Sequence, residues 1–270
     1  MTAFRGIPDG RDRHPWAKRS LGQNFLRDAN TARRIVSLLD IGPGDRVLEI
    51  GPGRGALTGH ILDAAPAVAG ALEKDGHLAD GLKDRWPALA LAVADAMAFV
   101  WERLDRSWKI VGNLPYNVAS PLMWEVFSRS TPERAVFMVQ KEVGRRLAAG
   151  PDSRAYGALS VWVQSFVLPR MEFTVGPGAF SPRPKVDSAV LSFRPRSDVE
   201  PFDPPALSRL LRLCFQKRRK QLGNILKSYW NDSIDAWFVQ AGCAPSMRPE
   251  NLSPEQFRSL AMIMAPGFTS

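Results

Sequence analysis

The tetrapeptide Asn113-Leu114-Pro115-Tyr116 combines groups suited to one kind of reaction. An exocyclic amine of a nucleobase is a poor nucleophile, because its lone pair is delocalised into the ring. Two acceptors aimed at its hydrogens favour a tetrahedral nitrogen and expose that lone pair. The side-chain oxygen of Asn113 and the main-chain carbonyl of Leu114 are acceptors of the right type. Pro115 fixes its own φ and biases Leu114 toward an extended conformation, which holds that carbonyl outward. Tyr116 offers a face on which an extruded adenine can stack, an interaction worth roughly 1–3 kcal/mol. Asn113, Leu114 and Tyr116 therefore read as catalytic for methylation of an amine, a reaction in which positioning is the main resource. No strong general base is needed, since the product ammonium sheds its proton easily, and His14, His60 and His77 lie near no such motif. An ordinary strand-to-turn exit also uses Asn and Pro, but it leaves Tyr116 and the upstream pattern unexplained.

That upstream pattern is Glu49-Ile50-Gly51-Pro52-Gly53-Arg54-Gly55, a strand-to-helix turn whose glycines let the backbone approach a ligand without a Cβ in the way. Glu73 follows at a distance suited to accepting from two ribose hydroxyls, and Asp95 can accept from an adenine amine. Together they describe an adenosine-shaped pocket. Residues 51–56 also satisfy the relaxed GxGxxG/A pattern of nicotinamide dinucleotide sites, and by themselves leave that reading open. The downstream tetrapeptide breaks the tie toward methyl transfer.

Such residues need a scaffold. Apolar runs at 46–50, 68–72, 89–93, 109–112 and 135–139 read as strands, with helices between them at 30–39, 56–63, a stretch to about residue 85, and 121–128. This alternation predicts an α/β fold with a doubly wound, mostly parallel sheet. Gly51, Glu73, Asp95 and Asn113 all fall just past strand ends, on the carboxyl edge where open α/β sheets bind ligands. Residues 158–164 and 186–193 read as further strands, added antiparallel. Residues 198–205 read as a linker, and the tail as helical, with Leu207, Leu210, Leu211, Cys214 and Phe215 on one stripe and Ile234, Trp237 and Phe238 starting another.

The chain has 270 residues, a net charge of +9 and 45% hydrophobic residues, enough for one large domain with a smaller appendage. Residues 1–20 carry +3 and residues 202–270 carry +4, while the 181 between carry +2. A nearly neutral body with basic ends suits a polyanionic partner. Phe215 to Gln221 reads as helical, and Lys217, Arg218, Arg219 and Lys220 on it are candidate phosphate contacts, as are Lys141, Arg145 and Arg146 at helical spacing after a strand. The two cysteines, Cys214 and Cys243, form no CxxC pair, which argues against a disulfide framework or a metal site and for a reducing cytoplasm. No apolar run approaches the roughly 18 residues of a membrane span, and the polar start is not a secretory signal.

The sequence resembles the small-subunit ribosomal RNA adenine dimethyltransferases of the KsgA type, from about Lys18 to Met264. Six segments carry the resemblance in order: Leu21 to Leu26 (LGQNFL), Glu49 to Gly53 (EIGPG), Asn113 to Tyr116 (NLPY), Gln140 to Val143 (QKEV), Ala155 to Val161 (AYGALSV) and Phe180 to Ser188 (FSPRPKVDS). The resemblance implies a basic arm (1–19), a Rossmann-like S-adenosylmethionine-dependent methyltransferase domain (20–197), a linker (198–204) and a helical RNA-contacting domain (205–270). It implies dimethylation of two adjacent adenosines in a hairpin loop near the 3′ end of 16S rRNA within the immature 30S subunit, by a monomer without a metal. Gln23, Asn24, Leu26, Gly51 and Gly53 would line the S-adenosylmethionine pocket, with Glu73 on the ribose, Asp95 on the adenine amine and Asn113 at the reactive end. Phe180 would stack on the target base opposite Tyr116, on a loop stiffened by Pro182 and Pro184, with Arg183 and Lys185 as RNA contacts. Gly70 and Lys74 depart from the family pattern, Lys74 replacing a more usual apolar residue. Two alternatives remain: a large-subunit rRNA adenine methyltransferase of the macrolide-resistance type, and an assembly factor whose checkpoint role needs no turnover.

Overall fold

The structure, a computed structural model, describes residues 23–197 and 199–268. Residues 1–22, which include the basic arm, and the C-terminal two residues lie outside them, as does Asp198 of the linker. The strands are β1 (Phe25–Leu26), β2 (Arg46–Ile50), β3 (Val68–Glu73), β4 (Ala90–Val93), β5 (Trp108–Asn113), β6 (Arg134–Gln140), β7 (Val167–Val175), β8 (Phe180–Ser181) and β9 (Ser188–Pro195). The helices are α1 (Ala29–Ser37), α2 (Thr58–Asp63), α3 (Gly76–Arg85), α4 (Ala119–Arg129), α5 (Lys141–Leu147), α6 (Ala158–Phe166), α7 (Pro204–Gln216), α8 (Leu222–Leu226), α9 (Asp232–Gln240) and α10 (Pro254–Met264).

A seven-stranded sheet runs in the order β4-β3-β2-β5-β6-β9-β7. Its first five strands are parallel, as the alternating pattern predicts, and β9 and β7 join antiparallel. Buried on both faces by helices, β5 and β6 are almost wholly apolar inside, with Ile110, Val111 and Ala135 through Val139 each fully buried. The chain order reverses between β2 and β5. At that switch point the connections leave in opposite directions and open a crevice beyond the carboxyl ends of the strands.

Two elements differ from the sequence reading. Residues 158–164, expected as a strand, form helix α6, and the antiparallel strand lies downstream in β7. The reason is packing. Helix α6 is enclosed by α4, α5, α7 and α10, so Leu159, Val161, Trp162 and Val163 are all buried and no 3.6-residue period survives in the sequence. Trp162 stacks on Trp124 at a centroid distance of 4.0 Å and donates its indole N–H to the Trp124 carbonyl at 3.0 Å. β7 was hidden by Pro169, which an edge strand tolerates because its missing N–H costs no ladder bond.

The second correction concerns Lys217 to Lys220, expected on a helix. Helix α7 ends at Gln216 and these residues form the turn to α8, with the Lys220 amide donating to the Lys217 carbonyl at 2.8 Å. Arg218 is drawn out of helical register by Glu250, whose carboxylate it meets at 2.6 Å, and by the carbonyls of Ser153 and Arg154.

The tail forms the expected stripes. Leu207, Leu210, Leu211, Cys214, Ile234, Trp237 and Phe238 are buried, in one hydrophobic cluster with Phe127 and Trp162 of the covering helices and Phe193 of the sheet.

Candidate functional site

The crevice at the switch point is a cavity walled by the ends of β2, β3 and β5, the loop after β4, and the segment Gln23 to Leu26. Every residue expected to bind cofactor lines it: Gln23, Asn24, Leu26, Gly51, Gly53, Glu73, Asp95 and Asn113. So do Leu114, Pro115 and Tyr116.

The glycine loop turns under β2 with Gly51 at φ +64° and Gly53 at φ +58°, conformations that L side chains rarely adopt. A Cβ at Gly51 would meet no protein atom within 4 Å, so the loop leaves open space there. Glu73 ends β3, buried at 5% exposure, and accepts from the Gly53 amide through Oε2 and from the Asp75 amide through Oε1, each at 2.9 Å. Those bonds lock the carboxylate, and each oxygen keeps a lone pair for a further donor. A fixed bidentate acceptor of this kind matches the paired hydroxyls of a ribose. Leu72, Ala94 and Met97 give apolar walls beside it, and Asp95 stands at the rim.

Asp95 already has partners. Its Oδ1 accepts from the Met97 amide at 2.9 Å, and its Oδ2 meets the Lys74 ammonium at 2.7 Å. Lys74 and this amide hold the Asp95 carboxyl below the usual carboxylate range. The pair is largely exposed, so it orients Asp95 more than it stabilises the fold. An adenine amine would share Asp95 with Lys74.

At the other end, Asn113 closes β5. Its Nδ2 donates to the Asn24 carbonyl at 3.0 Å, which fixes the amide plane and assigns Oδ1 as the acceptor. The Leu114 amide continues the parallel ladder by donating to the Met138 carbonyl at 3.0 Å. Among the described residues no donor reaches the Leu114 carbonyl, whereas Pro115 O accepts from Val118 and Ala119 to start α4. The residues in this turn thus present two acceptors, Asn113 Oδ1 and Leu114 O, beside the half-buried ring of Tyr116. That is an arrangement able to take both hydrogens of an amine on a stacked base.

Phe180 is not brought into this group. It is 2% exposed, pairs across from Leu26 in the β1–β8 ribbon, and packs in the cluster with Val175 and Val190. Of the expected RNA contacts, Arg145, Arg146, Arg183, Lys185, Lys217, Arg219 and Lys220 are exposed. Lys141 is tied to Asp187 at 3.0 Å, and Arg218 is bound to Glu250 as described.

Glu49 escaped the sequence reading as a site residue, although a lone carboxylate inside the apolar strand RVLEI was its visible signal. It lines the cavity at 2% exposure and accepts from the Thr58 hydroxyl at 2.6 Å. Burial pushes its carboxyl up to about 7, with the nearby Glu73 charge adding to the effect. The folded state therefore holds a proton that the unfolded chain loses near pH 4.5. Stability contributed by this group is complete below that pH and falls as pH rises to about 7. In denaturant titrations, Glu49→Gln should remove this fall, making the variant gain about 3 kcal/mol on wild type between pH 5 and pH 8. Parallel profiles for the two proteins would contradict the assignment.

Comparison with known proteins gives a consistent result. The family model described as "Ribosomal RNA adenine dimethylase" matches residues 16–265. The chain is similar to "Ribosomal RNA small subunit methyltransferase A" of Oleidesulfovibrio alaskensis, 57% identical over 93% of this chain and 92% of that one. It is 53% identical to the protein of the same name in Nitratidesulfovibrio vulgaris, over 93% and 97% of the two chains. Among solved structures, a dimethyladenosine transferase from Plasmodium falciparum superposes with a TM-score of 0.75 at 25% identity, covering 90% of this chain and 98% of that one. The 23S rRNA methyltransferase ErmE gives 0.68 at 25% identity, covering 89% and 98%.

Proposed function

Because the chain belongs to the ribosomal RNA adenine dimethylase family and is an S-adenosylmethionine-dependent rRNA adenine dimethyltransferase, we propose that it modifies two adjacent adenosines in a hairpin loop near the 3′ end of 16S rRNA. The relatives named for the small subunit favour this over a large-subunit target. The observation that supports the chemistry is that Asn113, Leu114, Tyr116 and Glu73 line one cavity, with the Asn113 amide oriented by the Asn24 carbonyl so that its oxygen is left as an acceptor.

In this reading Glu73 holds the cofactor ribose and Asp95 its adenine amine, with Gln23, Asn24, Leu26, Gly51 and Gly53 forming the remaining walls. Bound S-adenosylmethionine supplies an electrophilic methyl. Tyr116 stacks the flipped adenine, and the two acceptors draw its N6 hydrogens into place so that the lone pair points at the methyl. The proton released from the product passes to water. Phe180, buried as it is, supports the β1–β8 ribbon, and reaching the base would require that ribbon to open. The protein acts as a monomer, in the cytoplasm, on the immature 30S subunit. Among the described residues no helix is long and apolar enough to cross a membrane.

Incubation with labelled S-adenosylmethionine and unmethylated 30S particles should yield N6,N6-dimethyladenosine. Label confined to isolated large-subunit precursor would overturn the choice of subunit.

Phosphate binding is assigned to the exposed cations of the α7–α8 turn and of α5. Arg219→Gln with Lys220→Gln should flatten the salt dependence of RNA binding, by roughly 0.7–0.9 in log–log slope for each phosphate no longer neutralised. Arg218→Gln should instead lower thermal stability, since it breaks the link to Glu250. An unchanged slope in the double variant would reject the assignment.

A further inference from the structure

Tyr116 sits on a turn, yet its ring is anchored from the sheet. Its hydroxyl meets the Ser188 hydroxyl at 2.6 Å, and Ser188 is fully buried. Ser188 opens β9, where it lies between Gln140 of β6 and Val175 of β7, paired on both sides. The residue before it is clamped as well. The Asp187 carbonyl accepts from the Lys141 amide at 2.9 Å, and its carboxylate meets the Lys141 ammonium at 3.0 Å. Ser188 is thus bonded into the sheet on both sides, and joined to a side chain whose own backbone has just left β5.

The chemistry explains what this link does. Stacking needs only a ring face, which phenylalanine would supply equally well, so the hydroxyl has another task. A tyrosine ring swings about its first side-chain bond, and one hydrogen bond at its far end fixes that swing and so the place of the ring. Burial holds the Tyr116 hydroxyl above its usual range, so it stays protonated and works as a hydrogen-bonding group rather than as a base.

We propose that Ser188 is a positioning residue for methyl transfer, which sets where the Tyr116 ring stands and through it the place of the target amine against Asn113 and Leu114. This rests on the reading that Tyr116 stacks the target base. It also links the acceptor site to the 181–187 segment, because Arg183 and Lys185 join the sheet at Ser188 itself. An error of about 1 Å in such alignment costs up to roughly a hundredfold in rate, and a ring freed to swing from its place is expected to cost about tenfold.

The test has two arms. The chain has three tyrosines, so ring-labelled protein gives few resonances, and Tyr116→Phe identifies the one of interest. Adenosine added with S-adenosylhomocysteine should shift the Tyr116 resonance; no shift would remove the stacking reading, and the proposal with it. In the second arm, Ser188→Ala should lower kcat on 30S particles about tenfold, with unchanged cofactor Kd by calorimetry and similar Tm. Tyr116→Phe should do the same, the double variant should be no worse than either, and Ser188→Thr should recover most of the rate. A shifted resonance together with wild-type kcat for Ser188→Ala, or additive losses in the double variant, overturns the positioning role alone. A rate loss accompanied by weaker cofactor binding or a lowered Tm, or one that threonine does not repair, overturns it equally.

Discussion

Replacing Asn113 by alanine should lower kcat for methyl transfer by roughly 10²–10³, the usual cost of deleting one preorganised hydrogen-bonding group that acts on the reacting centre. The side chain contributes on both sides of its amide. Oδ1 is the acceptor proposed for the substrate amine, and Nδ2 is bonded to the Asn24 carbonyl at 3.0 Å, which keeps the amide from flipping. Alanine removes the acceptor outright, leaving only Leu114 O to orient an amine that needs two. Cofactor affinity should change by less than about tenfold, because the ribose acceptor and the glycine loop are untouched. Asn113→Asp separates the two functions. It keeps an acceptor of the same shape but sets an oxygen against the Asn24 carbonyl, so it should fall between alanine and wild type. Single-turnover rates with saturating cofactor make the comparison, and an alanine variant within threefold of wild type would remove Asn113 from the catalytic role.

The second large effect is expected at Glu73, and it falls on binding rather than on rate. Glu73→Ala deletes the proposed ribose acceptor and strips the Gly53 and Asp75 amides of their partner. A buried N–H left unpaired costs about 1–3 kcal/mol, and the Gly53 amide belongs to the loop that shapes the cavity. S-adenosylmethionine Kd should rise at least about a hundredfold by calorimetry, with Tm lower by several degrees. Glu73→Gln keeps one carbonyl oxygen able to serve one amide, so it should lose less on both measures. A hundredfold loss in glutamine with none in alanine would be incompatible with the geometry, as would unchanged affinity in both.

Much of this site could be read from the chain because strand ends are visible in sequence. Short apolar runs stop at Gly51, Glu73 and Asn113, and parallel strands bring their carboxyl ends to one edge whatever lies between them. Hence Gly51, Glu73 and Asn113, together with Asp95 beyond β4, wall a single cavity although the chain separates them widely. Where the reading failed, the missing information was tertiary. The run Ala158 to Gln164 is apolar all round because helices enclose it, and such a run looks the same as a buried strand. Arg218 looks like its neighbours in sequence, and only the fold shows that Glu250 occupies it while Arg219 and Lys220 are left to solvent. Ser188 gave no signal for its link to Tyr116, because the partners lie 72 residues apart. Phe180 was assigned by its motif, and its pairing with Leu26 puts it in the core instead.

The hydrophobic cluster shared by the C-terminal helices and α6 fixes where the proposed phosphate contacts stand. Swinging the tail away would expose Leu207, Leu210, Leu211 and Cys214 to water together with their partners on the sheet side, at about 25 cal/mol for each Å² of apolar surface uncovered. The cations of the α7–α8 turn therefore stand at a set span from the acceptor cavity, like the jaws of a caliper locked at one opening. A floppy strand gains little from such a tool. If those cations bind phosphate as proposed, a particle already folded to the matching width would touch both jaws at once, and recognition would then measure the shape of the RNA as well as its sequence.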